Sequence, residues 1–159
     1  MSIDKVRAYL GKFGYDNKVQ EFEVSSATVE LAAIALNTEP KRIAKTLSFM
    51  VEDSPILIVC AGDTKIDNPK YKECFHCKAK MLDYSEVESL IGHAVGGVCP
   101  FGINDGVKVY LDQSLKRFDT VFPACGSSNS AIELTIADLE KISNPISWVN
   151  VCKIKEDNI

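Results

Sequence analysis

Ile3, Val6, Leu10 and Phe13 recur at the three-to-four spacing of one helix face, with Ser2 placed to cap the segment and Gly14 to end it. This predicts a helix over 2–13. Residues 19–24 partly alternate, as a half-buried strand does. Ser26 is then placed to cap a second helix, whose apolar stripe of Val29, Ala33 and Leu36 stops near Asn37. Pro40 suits the first turn of a short third helix. Residues 45–51 read as a strand, 52–55 as a turn and 56–61 as the returning strand, which makes a hairpin. Ser85 and Glu88 have capping-box spacing for a helix that ends at Gly92. Strands are predicted at 107–111 and around 131–134, a helix over 136–142 capped by Thr135, and a last strand at 146–151. Helices and strands alternate irregularly, so the fold expected is an α/β (α+β) domain with a mixed sheet, possible also as a barrel-like curl.

Composition narrows this to one unit. The chain has 159 residues, 46% hydrophobic and 25% charged, which suits a single globular domain over 1–159. No apolar run approaches the ~18 residues of a membrane span; the longest, PILIVCA at 55–61, suits a buried strand. Charges within the first turns argue against a signal peptide, and the cytoplasm is the expected compartment. In that setting the six cysteines are expected to be reduced. A net charge of −4 and the lack of a helix-turn-helix pattern argue against DNA binding. Locally the balance reverses: Lys65, Lys70, Lys72, Lys78 and Lys80 stand against Asp67 and Glu73. With Lys41, Arg42 and Lys45 they can form a basic face, or remain scattered solvated lysines.

Five features carry candidate chemistry. Lys45 shares a strand face with Leu47, Phe49 and Val51, where an ammonium must snorkel out or meet an anion. The stretch GHAVGGVCPFG (92–102) combines four glycines with Pro100, which suits a loop that brings backbone amides close to a ligand or simply turns the chain. It lacks the spacing of a nucleotide-binding fingerprint. His93 and Cys99 can serve as base and nucleophile, or be a surface histidine and a packed thiol. Cys74 and Cys77 form a CxxC without the second ligand pair that zinc needs, so no metal is expected. The stretch PACGSSNS (123–130) offers small hydroxyl residues for a ligand or a tight turn.

Three of these segments, RIAKTLSF (42–49), VGGVCPFG (95–102) and CGSSNSAIEL (125–134), resemble in this order the YbaK/ProX/EbsC family of freestanding aminoacyl-tRNA deacylases. That family is related to the editing domain of bacterial prolyl-tRNA synthetase. The resemblance runs from SSATVELAA (25–33) to the final strand. It implies a mixed β-barrel-like sheet flanked by helices, and hydrolysis of the ester that joins a wrong amino acid to the 3′-terminal adenosine of tRNA, a translation-fidelity activity. It further implies a functional lysine at Lys45 and a Gly-x-x-x-Pro loop from Gly96 through Gly97, Val98 and Cys99 to Pro100, with Phe101 following. Gly126 and Ser127 match the small-residue segment beside the pocket, and Phe22 and Thr28 fall at pocket-wall positions. No cofactor is implied. The partners implied are misacylated tRNA, expected to be tRNA(Pro) carrying cysteine, alanine or a small analogue, and prolyl-tRNA synthetase as a transient companion. Cys99 departs from the small residue that many relatives have before the proline, which leaves the amino acid open. The alternatives are a non-catalytic tRNA- or synthetase-binding module on the same fold, and a thiol hydrolase built on Cys99 and His93.

Overall fold

The structure is a computed structural model and describes residues 2–155. In chain order its elements are α1 (Ser2–Gly11), β1 (Gln20–Glu21), α2 (Val29–Leu36), β2 (Ile43–Val51), β3 (Ser54–Ala61), β4 (Thr64–Ile66), α3 (Asn68–Phe75), α4 (Tyr84–Ile91), β5 (Lys108–Asp112), β6 (Thr120–Pro123), β7 (Ser130–Ala131), β8 (Leu134–Thr135), α5 (Ile136–Ser143), β9 (Ser147–Val149) and β10 (Cys152–Ile154). Six strands form a curled mixed sheet in the order β8-β6-β2-β3-β5-β9. The β2/β3 and β6/β8 pairs are antiparallel, and β2/β6, β3/β5 and β5/β9 are parallel. Two short ladders, β1/β7 and β4/β10, stand beside it.

The sheet divides the apolar residues because strand side chains alternate between faces. Ala44, Leu57, Val59 and Ala61 pack with Val6 and Leu10 of α1, Val87 and Ile91 of α4, and Leu139 and Ile142 of α5. On the opposite face Phe49, Ile56, Ile58 and Cys60 meet Tyr71 and Phe75 of α3. A smaller cluster seats Ala32 and Ala33 of α2 on Ile43 and Phe122. The hairpin is tighter than the predicted turn: Val51 pairs with Ser54, so only Glu52 and Asp53 connect the strands. Both have positive φ, 48° and 66°, the backbone that a two-residue hairpin needs to match strand twist.

Several predicted boundaries shift, each for a local reason. The cap of α2 is Thr28, whose Oγ1 accepts from the Leu31 amide at 3.2 Å. Ser26 instead donates its amide to the Ser128 carbonyl at 2.6 Å. The capping box at Ser85 and Glu88 does not form; the cap position falls two residues earlier, at Asp83, and α4 starts at Tyr84. Of the predicted strand at 19–24 only β1 pairs, and its partner is β7. The predicted last strand at 146–151 narrows to β9, after which the Val151 amide turns to the buried carboxylate of Asp112 at 2.9 Å, and β10 follows beyond the predicted bounds. Strands β4 and β6 were not legible from the pattern. Thr135 does cap α5, accepting from the Asp138 amide at 3.1 Å.

Tyr71 gives a direct stability test. Its ring packs 5.2 Å from that of Phe49 and 4.8 Å from that of Phe75, while its buried hydroxyl has no hydrogen-bond partner among the described residues. A buried hydroxyl left unpaired costs about 1–3 kcal/mol. Tyr71→Phe is therefore expected to leave stability unchanged or raise it by ~1 kcal/mol. Urea unfolding measures this, and a clear loss would mean that the hydroxyl has a partner.

Candidate functional site

Strand β2 changes partners along one edge. Its parallel ladder with β6 ends at Ala44↔Pro123. Pairing on that edge resumes where the Leu82 amide donates to the Ser48 carbonyl at 3.2 Å and the Met50 amide to the Lys80 carbonyl at 2.9 Å. Between these points Thr46, paired with Val59 of β3 on its other side, has no strand partner on this edge among the described residues. A cavity of about 320 Å³ opens at this gap. Its walls come from α2 and its cap, from β2, from 81–87, from the 95–98 loop and from the start of β7. Val29, Ile43, Leu47, Val87, Val98 and Phe122 give it an apolar lining. Among the described residues Lys45 is the sole charged residue on the wall, and no carboxylate lines it.

Lys45 lies opposite Cys60 in the β2/β3 register, and its ammonium donates to the Thr64 carbonyl. Burial, with a smaller contribution from Lys155, lowers its pKa, because desolvation penalises the charged form. Thr64 is held in turn by its own hydroxyl, which donates to the Ala61 carbonyl at 2.7 Å. Next to it Asp63 receives two bonds from Arg117, at 2.6 and 3.1 Å, and that guanidinium holds its carboxyl below the usual range. The turn that receives Lys45 is thus anchored independently of the lysine.

The glycines of the 92–102 stretch do different jobs. Gly96 lines the cavity with a φ of 96°. The Gly97 amide donates to the Ala94 carbonyl at 3.0 Å, which closes a turn. A Cβ on Gly97 would lie 2.6 Å from the Gly126 carbonyl carbon and the Ser127 nitrogen. Gly97 therefore permits the contact of this loop with the 126–127 backbone.

The residues singled out from sequence divide by depth. Lys45, Thr28, Gly96 and Val98 line the cavity. Gly97, Gly126 and Ser127 stand behind it, with the Ser127 hydroxyl 2.6 Å from that of Ser130, which does line it. Cys99 and Phe101 are fully buried in the main core, and Pro100 faces a separate groove with Lys5, Tyr9 and Asn104. Phe22 is half-buried outside the lining and is fixed by its amide donating to the Asn129 carbonyl at 2.8 Å. Ser130, from the hydroxyl-rich 123–130 stretch, lines the wall, while Thr46, Met81 and Tyr84 are wall residues that sequence reading did not single out. Only tertiary pairing brings the 81–84 segment to β2, so no local signal marks it.

His93 and Cys99 do meet, with Sγ and Nε2 3.6 Å apart, but neither has any exposure. Nε2 donates to the Phe101 carbonyl at 2.6 Å, and Nδ1 has no partner among the described residues. Burial pushes the Cys99 thiol up to about 12 and lowers the His93 pKa. A neutral thiol sealed from substrate is no nucleophile, which removes the thiol-hydrolase alternative and corrects the expected surface histidine. Cys74 is exposed and Cys77 partly so, and among the described residues no group of three His, Cys, Asp or Glu stands close enough to hold a metal ion. Among the same residues no helix is long and apolar enough to cross a membrane.

Residues 23–142 match the family described as the aminoacyl-tRNA editing domain, and the chain belongs to that family. It is 54% identical over 154 residues to the uncharacterized protein YwhH of Bacillus subtilis, covering 96% of this chain and 98% of that one. It is 26% identical over 114 residues to the proline–tRNA ligase of Bacillus cytotoxicus, covering 71% of this chain but 20% of that enzyme. Among solved structures, one described as a proposed trans-editing enzyme for prolyl-tRNA synthetase superposes with a TM-score of 0.86 at 27% identity, over 96% of this chain and 97% of the other.

Two outcomes follow from this geometry. Gly97→Ala forces backbone against backbone and is expected to cost about 1–3 kcal/mol in urea unfolding. For His93 the folded state resists a proton that the unfolded chain accepts, so its contribution is neutral above the ordinary histidine pKa and turns destabilising below it. Stability should fall as pH drops below about 6.5, and His93→Gln should flatten that part of the profile.

Proposed function

We propose that this protein is a freestanding aminoacyl-tRNA deacylase, a cytoplasmic hydrolase that clears mischarged tRNA in the service of translation fidelity. The substrate class is a small amino acid, such as cysteine, alanine or an analogue, esterified to the 3′-terminal adenosine of tRNA(Pro). The observation that carries this reading is the apolar cavity of about 320 Å³ with one cation, Lys45, in its wall. The editing-domain family and the relatedness to proline–tRNA ligases support it.

In this reading Lys45 spends one N–H on the Thr64 carbonyl and keeps two for the substrate's phosphate or ester oxygen. Water adds to the ester carbonyl carbon, the tetrahedral centre collapses, and the C–O bond to the terminal ribose breaks. The ribose oxygen takes a proton, and the amino acid leaves as its carboxylate. Among the described residues the wall supplies no carboxylate or imidazole, so in this reading the proton is carried by Lys45, by water or by a group on the substrate itself. An ester is already activated, and positioning supplies much of the acceleration. The Gly97 amide is committed to its turn, so any oxyanion donor from this loop is another of its amides. Small substrates are favoured by exclusion, because an apolar wall gains only about 1–3 kcal/mol per methylene.

Outside the cavity, Tyr84 is 82% exposed and Met81 57%, and both stand in its lining. They offer a face on which a terminal base can stack. Exposed Lys78 and Lys80 lie next to them in the chain and suit phosphate contacts. Arg42 is less available, since it is held by Thr120 and by Glu133 at 3.2 Å. Prolyl-tRNA synthetase is the expected transient partner.

The test is a panel of tRNA(Pro) charged with cysteine, alanine and small analogues, read as released amino acid. Wild-type protein should release at least one of them, and Lys45→Ala should lower kcat/KM by about a hundredfold or more. Binding of tRNA without release across the panel would leave the binding-module alternative standing instead.

A further inference from the structure

Resting on the deacylase reading, we propose that the open edge of β2 at Thr46 holds the α-ammonium group of the aminoacyl ester. Every aminoacyl ester carries this amino group, and where binding strips water from its protonated form the wall must supply acceptors in exchange. Among the described residues the wall offers no carboxylate for this, and their one charged member there, Lys45, is itself a cation. Neutral oxygens have to serve.

Thr46 is where unfilled acceptor capacity gathers. Its Oγ1 is shielded from solvent and has no hydrogen-bond partner among the described residues. Its backbone is in phase with Ala44, Ser48 and Met50, which all use the same edge of β2: Ala44 faces β6, Ser48 accepts from Leu82, and Met50 donates to Lys80. The Thr46 carbonyl and amide therefore point into the gap between these partners. Ser48 lines the cavity too and adds a second hydroxyl on the same strand face.

Alternation keeps the two cations apart. Thr46 projects to the opposite strand face from Lys45, whose ammonium is drawn away to the Thr64 carbonyl. An ammonium at the edge can then use the Thr46 carbonyl and Oγ1, and the ester end of the same substrate remains within reach of Lys45. The other hydroxyls on the wall are each oriented by a protein partner, since Thr28 Oγ1 accepts from Leu31, Ser26 Oγ donates to Ser128 and Ser130 Oγ pairs with Ser127, whereas Thr46 Oγ1 is not.

The experiment compares tRNA(Pro) charged with alanine and with lactate, whose ester differs by having a hydroxyl in place of the ammonium. Rates are normalised to uncatalysed hydrolysis of each ester. In wild-type protein alanyl-tRNA should show the lower KM. Thr46→Val keeps the shape and removes Oγ1; it should raise KM for alanyl-tRNA about tenfold and change lactyl-tRNA less than twofold. Thr46→Ser keeps the hydroxyl and should behave as wild type, which controls for altered packing. Equal effects of Thr46→Val on the two esters, no effect on either, or loss of discrimination in Thr46→Ser would each overturn the assignment while leaving the deacylase reading intact. Wild-type protein that cleaves neither ester would overturn both.

Discussion

A strand paired along both edges makes a closed wall, and the architecture of this protein depends on β2 not being one. Its edge leaves β6 after Ala44 and meets the 80–82 segment only at Ser48. That interruption creates the cavity without an open sheet end, because the other edge of β2 is paired with β3 from Ala44 to Val51. The strand is rigid on one side and unsatisfied on the other. A site on such a scaffold gets fixed geometry from the ladder and polar capacity from the gap.

The electrostatics follow from the same arrangement. A lysine on a strand face shared with Leu47, Phe49 and Val51 would be driven toward solvent if nothing received it. The Thr64 carbonyl receives it, and the Asp63–Arg117 pair steadies the adjoining turn without contacting the lysine. Burial still lowers the Lys45 pKa, so the group keeps its charge less firmly than a surface lysine does. Among the described residues no carboxylate stands in the wall to neutralise it. An anionic or strongly dipolar guest is the natural complement, and that fits an ester flanked by phosphates.

Local pattern made much of this fold legible. The helix of Ile3, Val6 and Leu10, the hairpin, the αL cap at Asn37 and the Thr135 cap follow from neighbours within a few residues. The editing-domain kinship was readable from three short segments in register, and Lys45 was identifiable from strand periodicity as a charge on an apolar face. What escaped reading depends on distant partners. The two residues of β1 are a strand only because β7 lies beside them. His93 looked like a surface residue, yet Phe101 and Cys99 enclose it. Tyr84 and Met81 reach the cavity because the chain at 80–82 pairs with β2, and Thr46 matters because of a strand that is missing beside it. The glycine–proline loop suggested amides offered to a ligand, whereas Gly97 serves an approach of backbone to backbone.

Helix α1 contributes nothing to the lining of the cavity, yet the loops that do are moulded on it. Any Cβ at Gly126 would sit 2.8 Å from the Ser2 carbonyl and the Val6 side chain, and one at Gly102 would sit 3.1 Å from the Lys5 carbonyl. The Ser2 hydroxyl also donates to the Gly92 carbonyl at 3.3 Å. The inner surface of this helix therefore acts as a template for both loops behind the pocket. Substitutions on that surface of α1 therefore reach the pocket through these loops, without touching its wall.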